Sequence, residues 1–280
     1  MHCYRHPERE AYVRCQRCER YICPDCQIEA AVGFLCPEDA GQSAASRATA
    51  KVVDMAPRQA RNKVRAVVRS DKPLVTYGLI AACVLVWGLQ LLLGDNFTYQ
   101  WLYAPVSTIT EPWRMITSAF LHSQTSPLHI LFNMYSLWIF GRELEYVLGR
   151  GRYLTLYLIS AFGGSVGVLW LADPATPVLG ASGAIFGLMA AYFVVVRSLG
   201  GQTGQITGLI AINLVSGFLL AGVAWQAHVG GLIAGGAISW IYSRTRSAKA
   251  GARRTILVLI VIAALVALTV VGAGRLTLGY

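Results

Sequence analysis

Acidic residues are scarce in this chain. Asp and Glu number 14 of 280 residues against 24 Lys and Arg, and charged residues of either sign make up only 14%. A sequence that is 55% hydrophobic, with mean hydropathy +0.50, is not an ordinary soluble domain. The apolar segments after residue 73 hold no acid in their cores except Glu145, which weakens an ion-coupled transporter as a reading. The first residues lack an apolar run, and cysteines begin at position 3, so no signal peptide is expected. The N-terminus should then stay in the reducing cytoplasm. Cysteine is nearly absent beyond it: six of seven fall in the first 36 residues, and Cys83 reads as core filling.

The positive charge is unevenly placed. Residues 41–72 carry eight Lys/Arg and two Asp. The net +10 therefore reads as charge flanking membrane helices rather than as a nucleic-acid footprint. No nucleic-acid partner is expected. The basic stretch is either a solvated tether or, over 60–69, an amphipathic helix on anionic lipid.

Leu74–Leu93 has 20 residues without a charge, enough to span a hydrocarbon core. Further apolar segments are read at 127–146, 153–172, 182–196, 206–220, 225–242 and 256–271. The loop 95–112 is rich in aromatics (Phe97, Tyr99, Trp101, Tyr103), which suits the membrane interface. With the N-terminus inside, the inner loops 142–152, 197–205 and 244–254 carry nine Lys/Arg and two Glu. The outer loops 94–114, 173–181 and 221–224 carry one Arg, two Asp and one Glu. That bias follows the positive-inside rule. It brings Ser182, His228, His129 and Asn133 to a similar depth near the outer face, with no chemistry assumed.

Serine acylation needs a nucleophile, a base and donors for an oxyanion. Ser182 opens the fourth apolar segment within Gly180-Ala181-Ser182-Gly183, where a helix start offers free N–H groups and a positive dipole end. His228 lies in the sixth, with Gly231 and Gly235 following at helical steps; Gly183, Gly187 and Ala190 keep one side of the fourth small. Small faces let membrane helices pack closely, as a direct Ser–His contact demands. His129 and Asn133, four apart in the second segment, share a face and can both donate. Each feature alone has a plainer reading: chance, packing, helix glue, or a proton or metal site. Together, at one depth, they point to a nucleophile–base site.

These motifs resemble the rhomboid family of intramembrane serine proteases. The resemblance rests on Trp113-Arg114, Phe120-Leu121-His122, His129-x-x-x-Asn133, Gly141-x-x-x-Glu145, Gly180-x-Ser182-Gly183 and Ala227-His228-x-x-Gly231-x-x-x-Gly235, and it covers residues 74–243. It implies a Ser182–His228 dyad without a third acid. It implies an oxyanion hole from the Ser182 backbone N–H, Asn133 and His129, and Trp113-Arg114 as a structural loop motif at the lipid interface. It also implies substrates that are membrane proteins with a transmembrane helix, cut near the outer boundary. One departure is Phe186, where many members carry Tyr stacked on the histidine; the ring is kept, the hydroxyl is lost, and activity is expected to survive with different tuning. The seventh segment is an addition to the family's six and would put the C-terminus outside.

The cysteines and their neighbours fall in pairs at two-residue spacing: Cys3/His6, Cys15/Cys18, Cys23/Cys26 and Cys36/Asp39. Such spacing lets both side chains of a pair reach one tetrahedral ion. Interleaving gives Cys3, His6, Cys23 and Cys26 for one zinc, and Cys15, Cys18, Cys36 and Asp39 for a second. His2 is an alternative to Asp39, and one zinc with a spare pair is an alternative to two. The pattern resembles a B-box-type zinc finger. Closed four-ligand sites are structural, so no catalytic cofactor is expected, and the module's role would be contact with a protein partner or regulation.

The expected architecture is an all-α polytopic membrane protein: a zinc-binding module at 1–40, a basic cytoplasmic linker at 41–72, a six-helix core at 73–243, and a basic loop with a seventh helix at 244–280. The expected location is the plasma membrane of a bacterium, with the lipid bilayer as a partner. The competing function classes are a catalytically silent membrane-helix binder and a membrane-tethered zinc scaffold.

Overall fold

The computed structural model describes residues 1–29, 33–40, 72–220 and 222–278. The proposed linker, but for Lys72, lies outside the described residues. The chain divides into two compact units, Met1–Arg69 and Ser70–Tyr280.

The first unit is built from two minimal hairpins. Strand β1 (Val13–Arg14) pairs antiparallel with β2 (Tyr21–Ile22), and β3 (Ile28–Glu29) pairs antiparallel with β4 (Phe34–Leu35). Its buried core is Cys3, Ala11, Cys15, Ile22, Cys23, Cys26 and Cys36. Five of those seven are cysteines, so apolar burial alone contributes little.

The second unit is helical, in the order α1 (Leu74–Leu93), α2 (Asp95–Trp101), α3 (Arg114–Thr117), α4 (Pro127–Leu148), α5 (Arg150–Leu171), α6 (Ser182–Ser198), α7 (Gly204–Leu219), α8 (Trp225–Arg244) and α9 (Gly251–Thr277). Three of them, α1, α5 and α9, are long and apolar enough to cross a membrane by length and composition. α6 and α7 are apolar but shorter. α4 and α8 carry the polar residues singled out above, which dilute their hydropathy. Proline at the first position of α4 suits a helix start, and Gly149, at φ +80°, ends α4 and leads straight into α5. The last helix is longer than the expected 256–271. It begins at Gly251, so Arg253 and Arg254 sit in its first turn, where Arg254 donates to the Thr245 carbonyl at 3.0 Å. α9 packs on α5: the Trp170 indole donates to the Leu268 carbonyl at 3.1 Å, and Gly272 lies against Leu169 and Trp170.

Glu145 is the acid that broke the pattern, and its place explains it. The first N–H groups of a helix have no partner within the helix. At α1, those of Val75 and Thr76 donate to the two Glu145 carboxylate oxygens at 3.0 and 2.8 Å, and the Thr76 hydroxyl adds a third bond at 2.8 Å. Glu145 is buried, and the negative charge meets the positive end of the α1 dipole. Glu145→Ala would strand these donors. The expected loss is on the order of 3 kcal/mol, read as a lower thermal midpoint in detergent; an unchanged midpoint would contradict the cap.

Candidate active site and metal clusters

α6 and α8 meet along a seam of glycines. A Cβ on Gly231 would fall on the Gly183 carbonyl oxygen, and one on Gly235 would fall on Gly187. A Cβ on Gly187 would strike Ser160 of α5. Backbone-to-backbone approach of this kind fixes the distance between the two helices. It sets His228 Nε2 3.0 Å from Ser182 Oγ. Gly231→Ala is expected to push α8 off α6, lower the thermal midpoint and break this contact. Gly88→Ala on α1, where a Cβ meets nothing within 4 Å, is the control and should be neutral or slightly stabilising.

The His228 ring is held by stacking. Phe186, one turn after Ser182, lies parallel to it with centroids 4.2 Å apart and 12° between planes. His228 Nδ1 is buried without a hydrogen-bond partner among the described residues, and Gly217 of α7 lies close to it. Among the described residues, Ser182 is thus the one side-chain hydrogen-bond partner of the His228 ring.

Ser182 is the first residue of α6. Its approach is set by Gly180, at φ +127°, a conformation that residues with a side chain rarely adopt. A Cβ there would also sit 2.9 Å from His129 Cε1 and 3.0 Å from Nε2. His129 therefore lies directly beside the Gly180–Ser182 turn. Its Nδ1 accepts from the Ser123 N–H at 3.2 Å, which leaves the ring proton on Nε2. Asn133 spends one amide N–H on the His129 carbonyl at 2.7 Å and keeps the second. That bond is a local feature the spacing of His129 and Asn133 did not announce. His122 is fully buried, with its ring 5.3 Å from that of His129.

Ser182, His228, His129, His122 and Asn133 line one cavity of about 1030 Å³, together with Gln124, Asn213 and Ser216. The loop motif stands apart. Arg114 ties the 94–114 loop together through the Tyr99 carbonyl at 2.7 Å and the Glu111 carboxylate at 2.8 Å, while Trp113 is half exposed. Sequence reasoning overlooked Gln90, Trp87 and Gln124, which fasten the 122–124 segment to α1. The available signal was Gln90 itself, the one carboxamide within Leu74–Leu93.

In the first unit, two clusters bring four potential ligand atoms each within 4.8 Å of one another: Cys3, His6, Cys23 and Cys26, and Cys15, Cys18, Cys36 and Asp39. Asp39 is the fourth member of the second, and His2 belongs to neither. The side chains of Cys18, Cys36 and Cys15 hold the Asp39 carboxyl down to about 2, so it is a carboxylate at neutral pH. The donor sets suit zinc, which takes thiolate, imidazole and carboxylate in tetrahedral sites. Three thiolates with a carboxylate carry one negative charge more than three thiolates with an imidazole. The more anionic cluster is the one Arg20 leans on, donating to Cys18 Sγ at 3.2 Å and pairing with Glu38 at 2.6 Å.

The helical unit is similar to known proteins. A family model described as Rhomboid domain matches residues 110–245. The putative rhomboid protease YdcA of Bacillus subtilis is 35% identical over 137 residues, 47% of this chain and 67% of that protein. Rhomboid protease GluP of the same organism is 33% identical over 189 residues, 62% of this chain but 36% of that protein. Rhomboid protease GlpG of Serratia proteamaculans is 33% identical over 184 residues, 60% of this chain and 62% of that protein. The chain thus spans about a third of GluP, 62% of GlpG and 67% of YdcA. With its apolar helices it is a multi-pass membrane protein, and it belongs to the rhomboid family.

Proposed function

We propose that the protein is an intramembrane serine endopeptidase that cuts transmembrane helices of other membrane proteins near the outer boundary of the plasma membrane. The observation that carries this reading is the 3.0 Å contact between His228 Nε2 and Ser182 Oγ inside a cavity that also gathers His129, His122 and Asn133 within an apolar bundle. His228 accepts the hydroxyl proton as Ser182 Oγ attacks a peptide carbonyl, and gives that proton to the leaving amine. The developing oxyanion is met by the Ser182 backbone N–H at the positive end of α6, by His129 Nε2–H and by the second Asn133 N–H. Water in the cavity then hydrolyses the acyl-enzyme, with His228 again the base. A substrate helix must locally unwind before a carbonyl becomes available, so small and helix-breaking residues near the cut are the expected preference.

The N-terminus is placed in the cytoplasm and Ser182 near the outer face, on the loop charges given above. If α1 and α4 to α9 all cross, the C-terminus lies outside. The residues 1–40 bind two structural zinc ions through the eight side chains of the two clusters, and their closed ligand sets leave no position for a substrate. Catalysis needs no metal in this scheme.

The test is covalent labelling. A fluorophosphonate probe should add one adduct per chain, mapped by mass spectrometry to Ser182, with labelling abolished in Ser182→Ala. A wild-type protein that is folded, unlabelled and inert toward several membrane-helix substrates would sink the proposal in favour of a non-cleaving helix binder.

A further inference from the structure

Gln90 is a fully buried carboxamide inside a helix long and apolar enough to cross a membrane. Such a group is costly unless every polar atom is met. Its partners lie in one place. Gln90 Oε1 accepts from the His122 N–H at 2.9 Å, and Nε2 donates to the His122 carbonyl at 3.0 Å, so the carboxamide pairs with both backbone groups of one residue, the carbonyl being part of the same peptide unit as the Ser123 N–H. Nε2 also donates to Thr98 Oγ1 at 3.1 Å, whose hydroxyl passes on to Gln124 Oε1 at 3.1 Å. Gln124 Nε2 returns to the Gln90 carbonyl at 2.6 Å, and the Trp87 indole donates to the Ser123 carbonyl at 3.1 Å. The 122–124 segment is thus bound to α1 on both sides of Ser123.

Ser123 is the residue whose N–H is accepted by His129 Nδ1. That single bond decides which ring nitrogen carries the proton. Without a donor at Nδ1, the ring can hold its proton there instead and turn a lone pair toward the Gly180–Ser182 turn, where it would repel an oxyanion. We propose that Gln90 is a positioning residue for the reaction: by clamping the His122 backbone on both sides it holds the Ser123 N–H on His129 Nδ1, and so keeps Nε2–H available to the oxyanion.

The inference rests on the protease reading and touches neither nucleophile nor base. Its test is a double-mutant cycle on the full-length protein in detergent, with a fluorogenic transmembrane-helix peptide as substrate, below the thermal midpoint of each variant. Gln90→Met keeps the size of the side chain and removes its hydrogen bonds. It is expected to lower kcat about tenfold with KM unchanged, while His129→Ala lowers kcat by about a hundredfold. In the His129→Ala background, Gln90→Met should cost nothing further, because the group it positions is gone. Losses that multiply would overturn the proposal, as would an effect confined to KM or no effect on kcat. Should Gln90→Met not fold, Trp87→Phe loosens the same segment by one bond and enters the same cycle with the same outcomes deciding. A wild type that neither cleaves the peptide nor labels at Ser182 would defeat the protease reading itself, a result separate from any of these.

Discussion

Ser182→Ala and His228→Ala are each expected to lower kcat/KM at least about a thousandfold, and the double variant to fall no further. The reason is that the two side chains act as one device. Removing the base leaves a hydroxyl that is almost never ionised; removing the nucleophile leaves a base with nothing to deprotonate. A peptidase assay on the three variants reads this directly, and losses that multiply in the double variant would mean that the residues work independently. The same geometry sets the scale for Phe186. No carboxylate orients His228: its Nδ1 has no hydrogen-bond partner among the described residues, and the parallel Phe186 ring holds the imidazole in plane. Phe186→Ala should therefore cost on the order of tenfold in kcat through loss of orientation. Phe186→Tyr keeps the ring and should stay close to the parent.

How much of this could be read without coordinates follows from which interactions are periodic. Charge-free runs marked the long helices, because a membrane helix must be apolar over a full span. Gly183/Gly187 and Gly231/Gly235 stand one turn apart on their helices, and the structure sets them against each other. Two-residue spacing of cysteines likewise announced pairs of ligands. Bonds without period were not legible. Glu145 caps α1 from 69 residues away, and Gln90 reaches His122 across 32. Neither distance leaves a repeat in the sequence. Glu145 stood out as an acid where apolar residues were expected, while Gln90, the one carboxamide in its segment, carried the same kind of sign and was passed over. The start of α9 was misjudged for a different reason. Arg253 and Arg254 read as loop charges, yet their aliphatic stems let them join a helix whose apolar stretch begins at Ile256.

The purified protein is expected to carry two zinc ions per chain, and stripping them is expected to unfold residues 1–40 outright. Ordering a residue's backbone costs about 1–2 kcal/mol, so a module of some forty residues opposes folding by tens of kcal/mol. Against this, its described residues offer four two-residue strands and a core in which Ile22 is the one large aliphatic side chain fully buried. Structural zinc contributes about 10–16 kcal/mol per site in small modules, far more than this core can supply. The exposed Arg9–Asp25 and Arg20–Glu38 ion pairs are no substitute, since such pairs contribute about 1 kcal/mol or less. Elemental analysis and thiol counting check the expectation together. Six N-terminal thiols should resist alkylation in the loaded protein and react after chelation. Asp39→Ala should reduce the zinc content from two to one, because the Cys3, His6, Cys23 and Cys26 cluster keeps all its ligands. Thiols equally reactive before and after chelation would mean that something other than metal holds the module. Zinc content unchanged in Asp39→Ala would mean that three cysteines and a water suffice, leaving that site open to a fourth ligand from outside the chain.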